Sequence, residues 1–323
     1  MNHHGGHANQ GEHPELRIFF SKLLRLSRLP VHLIFVFDGN QKPAVKRGTQ
    51  VINREHFLYR AMISFIKAFG FQHHTAPAEA EAELAFMSSE GLLDAVLTDD
   101  SDTLLFGANI IIRNWNIKKD KDTVHMYDLQ AMPFERDDFI LLGVLMGGDY
   151  DNKGCGPRIA VALANAGFGK SLCSSARACT KREFTQFLNG WRADVQLYLC
   201  TDPRGSMGCK HRALATSLLD DFPDPDIVYM YTSPLVSSSA DLASLASMSK
   251  IGQPDIISIT HLCELYFPWA KSESIISKFD AGVFPAIIMT ALRDAAIMMG
   301  SSNRLPENSA PVSFLNHRCD KQH

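Results

Sequence analysis

Residues 14–29 place Leu16, Phe19, Leu23 and Leu26 at helical spacing, with Arg17, Lys22, Arg25 and Arg28 between them. The pattern predicts an amphipathic helix. Residues 31–37 are a near-continuous apolar run of strand length, as expected of a strand buried on both faces, and the run ends in Asp38-Gly39. Residues 55–69 read as a helix with Phe57, Met62, Phe65, Ile66 and Phe69 as core positions, and Gly70 stands at its C-terminal end. Pro77 suits the first turn of the next helix. Two more short apolar runs, 95–97 and 109–112, read as strands, and 137–146 as an apolar helix. Strand, helix and strand alternate through residue 115, which predicts an α/β fold: a mostly parallel sheet flanked by helices, followed by a helical region.

Beyond residue 171 the pattern weakens. Residues 181–198 read as a helix, 203–237 as irregular sequence, 237–249 as a Ser/Ala/Leu-rich surface insertion and 254–292 as short helices. The expected division is a disordered leader at 1–12, an α/β core at 13–150, a helical region at 151–300 and a frayed tail at 301–323.

Composition narrows the classes. With 46% hydrophobic residues in 323, the chain can bury a sizeable core. The net charge of −3 neither supports nor excludes nucleic-acid binding, because an acidic site and a basic rim cancel. Seven cysteines without a C-x-x-C pair argue against a disulfide framework and a zinc site. No signal peptide and no apolar run of membrane-spanning length is evident, so no membrane partner is expected.

The chemistry concentrates between residues 77 and 107. Glu79, Glu81 and Glu83 stand at a helix start, and Asp99, Asp100 and Asp102 follow the 95–97 run. A solvated acidic surface is the plain alternative. Two features favour a metal site instead. The Asp cluster ends a strand, where open α/β sheets place their sites. Oxygen ligands from several elements are what Mg²⁺ takes. From helix spacing alone Glu79 pairs with Glu83, because residues four apart share a face and residues two apart do not.

Pro77-Ala-Glu79-Ala-Glu81-Ala, then Thr98-Asp-Asp100-Ser-Asp102 and Phe106-Gly107, resembles the internal motif of the flap-endonuclease/XPG family of metal-dependent, structure-specific nucleases. The flanking Phe69-Gly-Phe71 and Arg113-Asn-Trp115-Asn116 are most similar to the fungal Holliday-junction resolvase branch. The resemblance implies metal ligands at Asp38, Glu79, Glu81, Asp100, Asp102 and Asp149, the last from Gly148-Asp149-Tyr150. It selects Glu81 over Glu83, which requires Glu79 to lie in an irregular lead-in to the helix. It also implies that Lys46 and Arg47 hold the scissile phosphate, Lys46 as part of the catalytic set with Asp38, Glu79 and Glu81. The run Lys153-Gly154-Cys155-Gly156-Pro157-Arg158 resembles the helix–two-turn–helix that grips duplex DNA with a K⁺ in its turn, although the stretch before Gly154 is shorter than in the family.

The implied cofactors are two Mg²⁺ ions, with Mn²⁺ able to substitute. The implied partners are branched double-stranded DNA and, on four-way junctions, a second copy of the chain, with a nuclear location. Family members begin with a further strand that carries one more metal-binding Asp. MNHHGGHANQ holds neither strand nor Asp, so the expectation is a core lacking that strand. Two classes remain: an active structure-specific endonuclease in DNA repair and recombination, or a catalytically impaired junction-binding protein of the same fold. An RNA-directed nuclease of PIN type is a third, against which the glycine-rich turn after Asp149 argues.

Overall fold

The computed structural model describes residues 13–42, 45–46, 49–50, 58–113, 123–147, 155–218, 222–242, 252–267 and 271–302. Two compact units are present: Met1–Leu33, Arg60–Phe71 and Ile251–His323 form one, and Ile34–Tyr59 with Gln72–Lys250 the other. The boundary expected at residue 150 falls inside the second unit. The reason is a shared core: Leu141 and Leu145 pack with Ala160, Leu163 and Leu172 from beyond that boundary.

In the first unit, helix α1 (Pro14–Leu26) has proline in its first turn and buries Leu16, Phe20, Leu23 and Leu26. Phe20 takes the place expected of Phe19, because its ring packs against Phe65, Phe69 and Phe267 at 5.5, 5.8 and 5.5 Å. Helix α2 (Tyr59–Ala68) runs into Gly70, whose φ of 78° is left-handed. A Cβ on Gly70 would lie 2.2 Å from the Gly252 carbonyl oxygen, so both the turn and the close approach require glycine there. Phe57 lies outside the described residues.

Among the described residues this unit also holds helices Ile256–Tyr266, Ser272–Lys278 and Phe284–Ser302, the last two joined by a π-helical turn at Phe279–Val283. The first is capped by Asp255, which accepts the N–H groups of Ile257 and Ser258. One expectation is amended here. Ser272–Met299 is long and apolar enough to cross a membrane by length and composition, with 33% of its most apolar window buried in the fold. The sequence pattern hid it because Lys278, Asp280, Arg293 and Asp294 interrupt the apolar run.

The strands of the second unit are, in chain order, β1 (Ile34–Phe37), β2 (Val45–Lys46), β3 (Thr49–Gln50), β4 (Gln72–Thr75), β5 (Val96–Leu97), β6 (Ile110–Arg113) and β7 (His125–Asp128). β1 pairs in parallel with β4, Ile34 opposite Gln72. β5 pairs in parallel with β6, Val96 opposite Ile111, and β7 joins β6 antiparallel. The α/β class is as expected, but among the described residues the strands form three separate sheets, β1–β4, the antiparallel pair β2–β3, and β5–β6–β7. β1 is correspondingly half-buried rather than covered on both faces. Val96 is buried, whereas Leu97 is exposed. The sequences of β4 (QHHT) and β7 (HMYD) carry no apolar run, so only pairing with a neighbour makes them strands.

Helices α3 (Ala80–Ser89) and α4 (Asp102–Phe106) flank β5 in sequence, and α5 (Arg136–Met146) follows the second sheet. Then come α6 (Pro157–Asn165), α7 (Phe168–Ala178) and α8 (Lys181–Thr201), the last opened by a Thr180–Glu183 capping box. Residues 203–237, expected to be irregular, hold α9 (Arg212–Ser217) and α10 (Pro225–Thr232). The start of α10 is readable in retrospect: Asp224 accepts the Asp226 N–H and Pro225 takes the first turn. The expected insertion at 237–249 is anchored at its near end, where Leu242 is buried, and residues 243–251 lie outside the described ones.

Candidate metal centre

Asp38 stands just beyond the end of β1, and Gly39 brings the chain against the lead-in to α3. The Gly39 N–H donates to the Ala78 carbonyl at 2.7 Å, and the Gln41 N–H to the Pro77 carbonyl at 3.1 Å. A Cβ on Gly39 would lie 2.0 Å from the Ala76 carbonyl oxygen, so this crossing admits no side chain. Asp38 Oδ1 accepts the Ala80 N–H at 2.9 Å, and Oδ2 accepts from Lys42 Nζ at 3.1 Å. The carboxylate thus satisfies one orphan donor of the first turn of α3.

Pro77 lies before the helix rather than in its first turn. Glu79 is the N-cap, with φ −88° and ψ 135°, and the helix begins at Ala80. The extended backbone at Glu79 removes the conflict of spacing, because its side chain is not bound to the helical period that separates Glu81 from Glu83. Glu83 is wholly buried and its two oxygens are engaged: Oε1 lies 2.7 Å from Nε2 of His74, and Oε2 accepts the Ser237 N–H at 2.9 Å. Glu83 therefore points into the fold and Glu81 to the other side of the helix.

After β5 the chain turns sharply. Thr98 Oγ1 accepts the Asp100 N–H at 3.1 Å, and Asp100 Oδ1 accepts the Asp102 N–H at 2.9 Å. Arg113 on β6 donates to the Asp99 carbonyl. Asp102 is buried in the first turn of α4, where the Tyr231 hydroxyl donates to its Oδ2 at 3.3 Å. Tyr231 is in turn held by Arg136, which donates to the carbonyls of Tyr231 and Leu105 at 2.8 and 3.3 Å.

The electrostatics identify which carboxylates are neighbours. Burial raises the Glu81 carboxyl above its ordinary value, and the charges of Asp38, Asp100 and Glu79 raise it further. Separate elements therefore bring Asp38, Glu79 and Asp100 close enough for their charge to act on Glu81, a repulsion that a cation relieves. Among the described residues no group of three or more His, Cys, Asp or Glu side chains is arranged to hold a metal as it stands. The donor set fits Mg²⁺ or Mn²⁺ in chemistry: it is all oxygen, with no thiolate or imidazole.

Asp149, Arg47, Lys153 and Gly154 lie outside the described residues, and of Lys46 only the backbone, on β2, is described. Gly156 caps α6, and Arg158 in its first turn donates through Nε to the Ser206 carbonyl at 3.5 Å. Sequence reasoning missed Lys42, His74, Tyr231 and Ser237. Lys42 carried a signal, four residues after Asp38. The other three become neighbours of the acidic residues only through tertiary structure.

Comparison with known proteins identifies relatives of this chain. The family profile described as the XPG I-region matches residues 70–149. Flap endonuclease GEN homolog 1 of Mus musculus is 29% identical over 184 residues, which cover 49% of this chain and 20% of that protein. A crystal structure of the Holliday junction-resolving enzyme GEN1 with product DNA and Mg²⁺ superimposes with a TM-score of 0.72 at 30% identity, covering 90% of this chain and 69% of that one. The structure of eukaryotic junction-resolving enzyme GEN-1 binding potassium gives a TM-score of 0.71 at 30% identity, with 89% and 68% covered. The fold is of the PIN/XPG type. The chain belongs to the flap-endonuclease/XPG family. It spans about a fifth of the length of the curated GEN relatives it matches.

Proposed function

We propose that this chain is a metal-dependent, structure-specific DNA endonuclease that hydrolyses phosphodiesters at branched DNA, 5′ flaps or Holliday junctions, in repair and recombination. The observation that carries the reading is the cluster of Asp38, Glu79, Glu81 and Asp100, in which burial and like charge hold Glu81 above the ordinary carboxylate range. A group of carboxylates that repel one another at the ends of strands is a site that gains most from a divalent cation.

In this reading Glu79 and Glu81 would mainly hold one cation and Asp100 and Asp102 the second, with Asp38 and Asp149 completing the ligand set. Mg²⁺ or Mn²⁺, when bound, supplies polarisation of the phosphodiester and charge stabilisation of the leaving oxygen. The chain's own residues fix the geometry. The Ala80 N–H and Lys42 hold Asp38, and the Asp102 N–H holds Asp100. By family resemblance Lys46 and Arg47 bind the scissile phosphate. Lys153, Gly154, Gly156 and Arg158 then bind the duplex, with K⁺ in the turn. A second copy of the chain on four-way junctions and a nuclear location belong to the same proposal.

One observation favours a second reading, a junction-binding protein of this fold without turnover: no three acidic side chains among the described residues stand ready to hold a metal. One experiment separates the two. Mg²⁺ affinity is measured by calorimetry, and cleavage is assayed on a four-way junction and a 5′ flap, for the native chain and for Asp100→Asn with Asp102→Asn. An active nuclease cuts in Mg²⁺, and the double variant loses metal affinity without unfolding. Tight junction binding with no cleavage in Mg²⁺ or Mn²⁺ leaves the second reading. Unchanged metal affinity in the double variant removes the Asp cluster from the site.

A further inference from the structure

Glu83 is fully buried, wholly engaged and, in the reading above, not a metal ligand. Its partners come from two other segments of the chain. His74 is on β4, and Ser237 follows α10, 154 residues further along. The Ser237 hydroxyl also lies 3.4 Å from the same His74 nitrogen, so the three residues form one closed contact. A helix packed in a core keeps one soft rigid-body freedom, rotation about its own axis. For α3 that rotation is restrained at the N-terminus by the Ala80 N–H on Asp38, and one turn later by Glu83. With side chains about 5–6 Å from the axis, a rotation of about 10° moves a carboxylate on the order of 1 Å. Mg²⁺ demands near-ideal octahedral oxygens, so an error of that size at Glu81 matters to metal binding.

We propose that the His74–Glu83–Ser237 contact is a clamp that sets the rotation of α3 and thereby the affinity of the Glu81 cluster for a divalent cation. Glu83 is then a positioning residue, acting through Glu81 on the same helix and Glu79 at its N-cap. The clamp also makes the site depend on the segment after α10, whose Ser237 N–H donates to Glu83. The proposal rests on the reading of the acidic cluster as a cation site.

The test uses the full chain and Mg²⁺ alone as the probe, with two readouts: Mg²⁺ affinity by calorimetry, and hydrogen exchange at the Ala80 amide, whose bond to Asp38 reports the setting of the helix. Glu83→Ala and His74→Ala are expected to weaken Mg²⁺ binding about tenfold or more and to speed Ala80 exchange. Metal-free DNA affinity stays as in the native chain. Glu83→Gln, which can still accept the Ser237 N–H and donate to His74, is expected to restore both readouts. Native Mg²⁺ affinity and native Ala80 exchange in Glu83→Ala overturn the clamp. Where Glu83→Ala does not fold, His74→Ala decides by the same criteria, since its side chain is partly exposed. If the native chain binds no Mg²⁺, the cation reading fails by itself. Ala80 exchange then judges the clamp: faster exchange in the variants supports the helix setting, and unchanged exchange overturns it.

Discussion

Glu81 and Glu83 stand two positions apart on α3, and the fold shifts their carboxyls in opposite directions. Burial, then the charges of Asp38, Asp100 and Glu79, raise Glu81. Burial also acts to raise Glu83, but the hydrogen bonds from His74 and Ser237 outweigh it and leave that carboxyl lowered. Two glutamates of one helical turn are thereby given different work. One is an ionised structural tie, and the other is a strained member of an acidic cluster.

In the metal-free protein a carboxyl whose folded pKa is raised costs stability once ionised. For Glu81 that cost is absent below the ordinary value of 4.5 and develops as pH rises from there through the raised value. Glu81→Gln should therefore stabilise the protein in EDTA at pH 7 by about 0.5–2 kcal/mol, with the gain disappearing toward pH 4. Chemical denaturation across that range checks it. A loss of stability at pH 7 would contradict the clustering of charge.

The same substitution should be ruinous for activity. Glu81→Gln is expected to lower Mg²⁺-dependent cleavage by about a hundredfold or more, while Glu83→Gln keeps most of it. Single-turnover rates on a 5′ flap measure both. The reverse order would return the metal to the face that Glu79 shares with Glu83 by simple helix spacing.

Asp38→Asn separates the two jobs of Asp38. The amide oxygen can still accept the Ala80 N–H, so the melting temperature should stay close to native. The charge facing Glu81 is lost, so Mg²⁺ affinity should fall about tenfold or more. Calorimetry with a parallel melt checks this, and native affinity would remove Asp38 from the ligand set.

Gly39→Ala introduces a Cβ 2.0 Å from the Ala76 carbonyl oxygen, a backbone atom with little room to move. It should cost about 1–3 kcal/mol and loosen the tie between β1 and α3, so Mg²⁺ affinity should fall with stability. An unfolding midpoint within error of native would show that the crossing relaxes freely.

Arg158 is exposed and makes one long bond, to the Ser206 carbonyl. If it reaches a phosphate instead when duplex is present, Arg158→Ala should reduce the magnitude of the log–log salt slope of DNA binding by about 0.9. An unchanged slope and affinity would leave α6 without a phosphate contact from this side chain.

The sequence by itself determined the α/β class, the helices with a clear 3.6-residue stripe and the two acidic clusters, because residue type and spacing are local properties. Gly70 and Pro157 marked a helix end and a helix start for the same reason: a left-handed φ and a missing N–H are backbone constraints written into single residues. Tertiary structure alone decided the rest. His74-containing β4 has no apolar pattern and exists because β1 offers it hydrogen-bond partners. Periodicity alone pairs Glu79 with Glu83, because it shows neither that Glu79 is the N-cap nor that Ser237, 154 residues later, occupies Glu83. Which of several like carboxylates is engaged in the core and which faces its peers depends on contacts between distant segments, and local spacing does not encode those contacts.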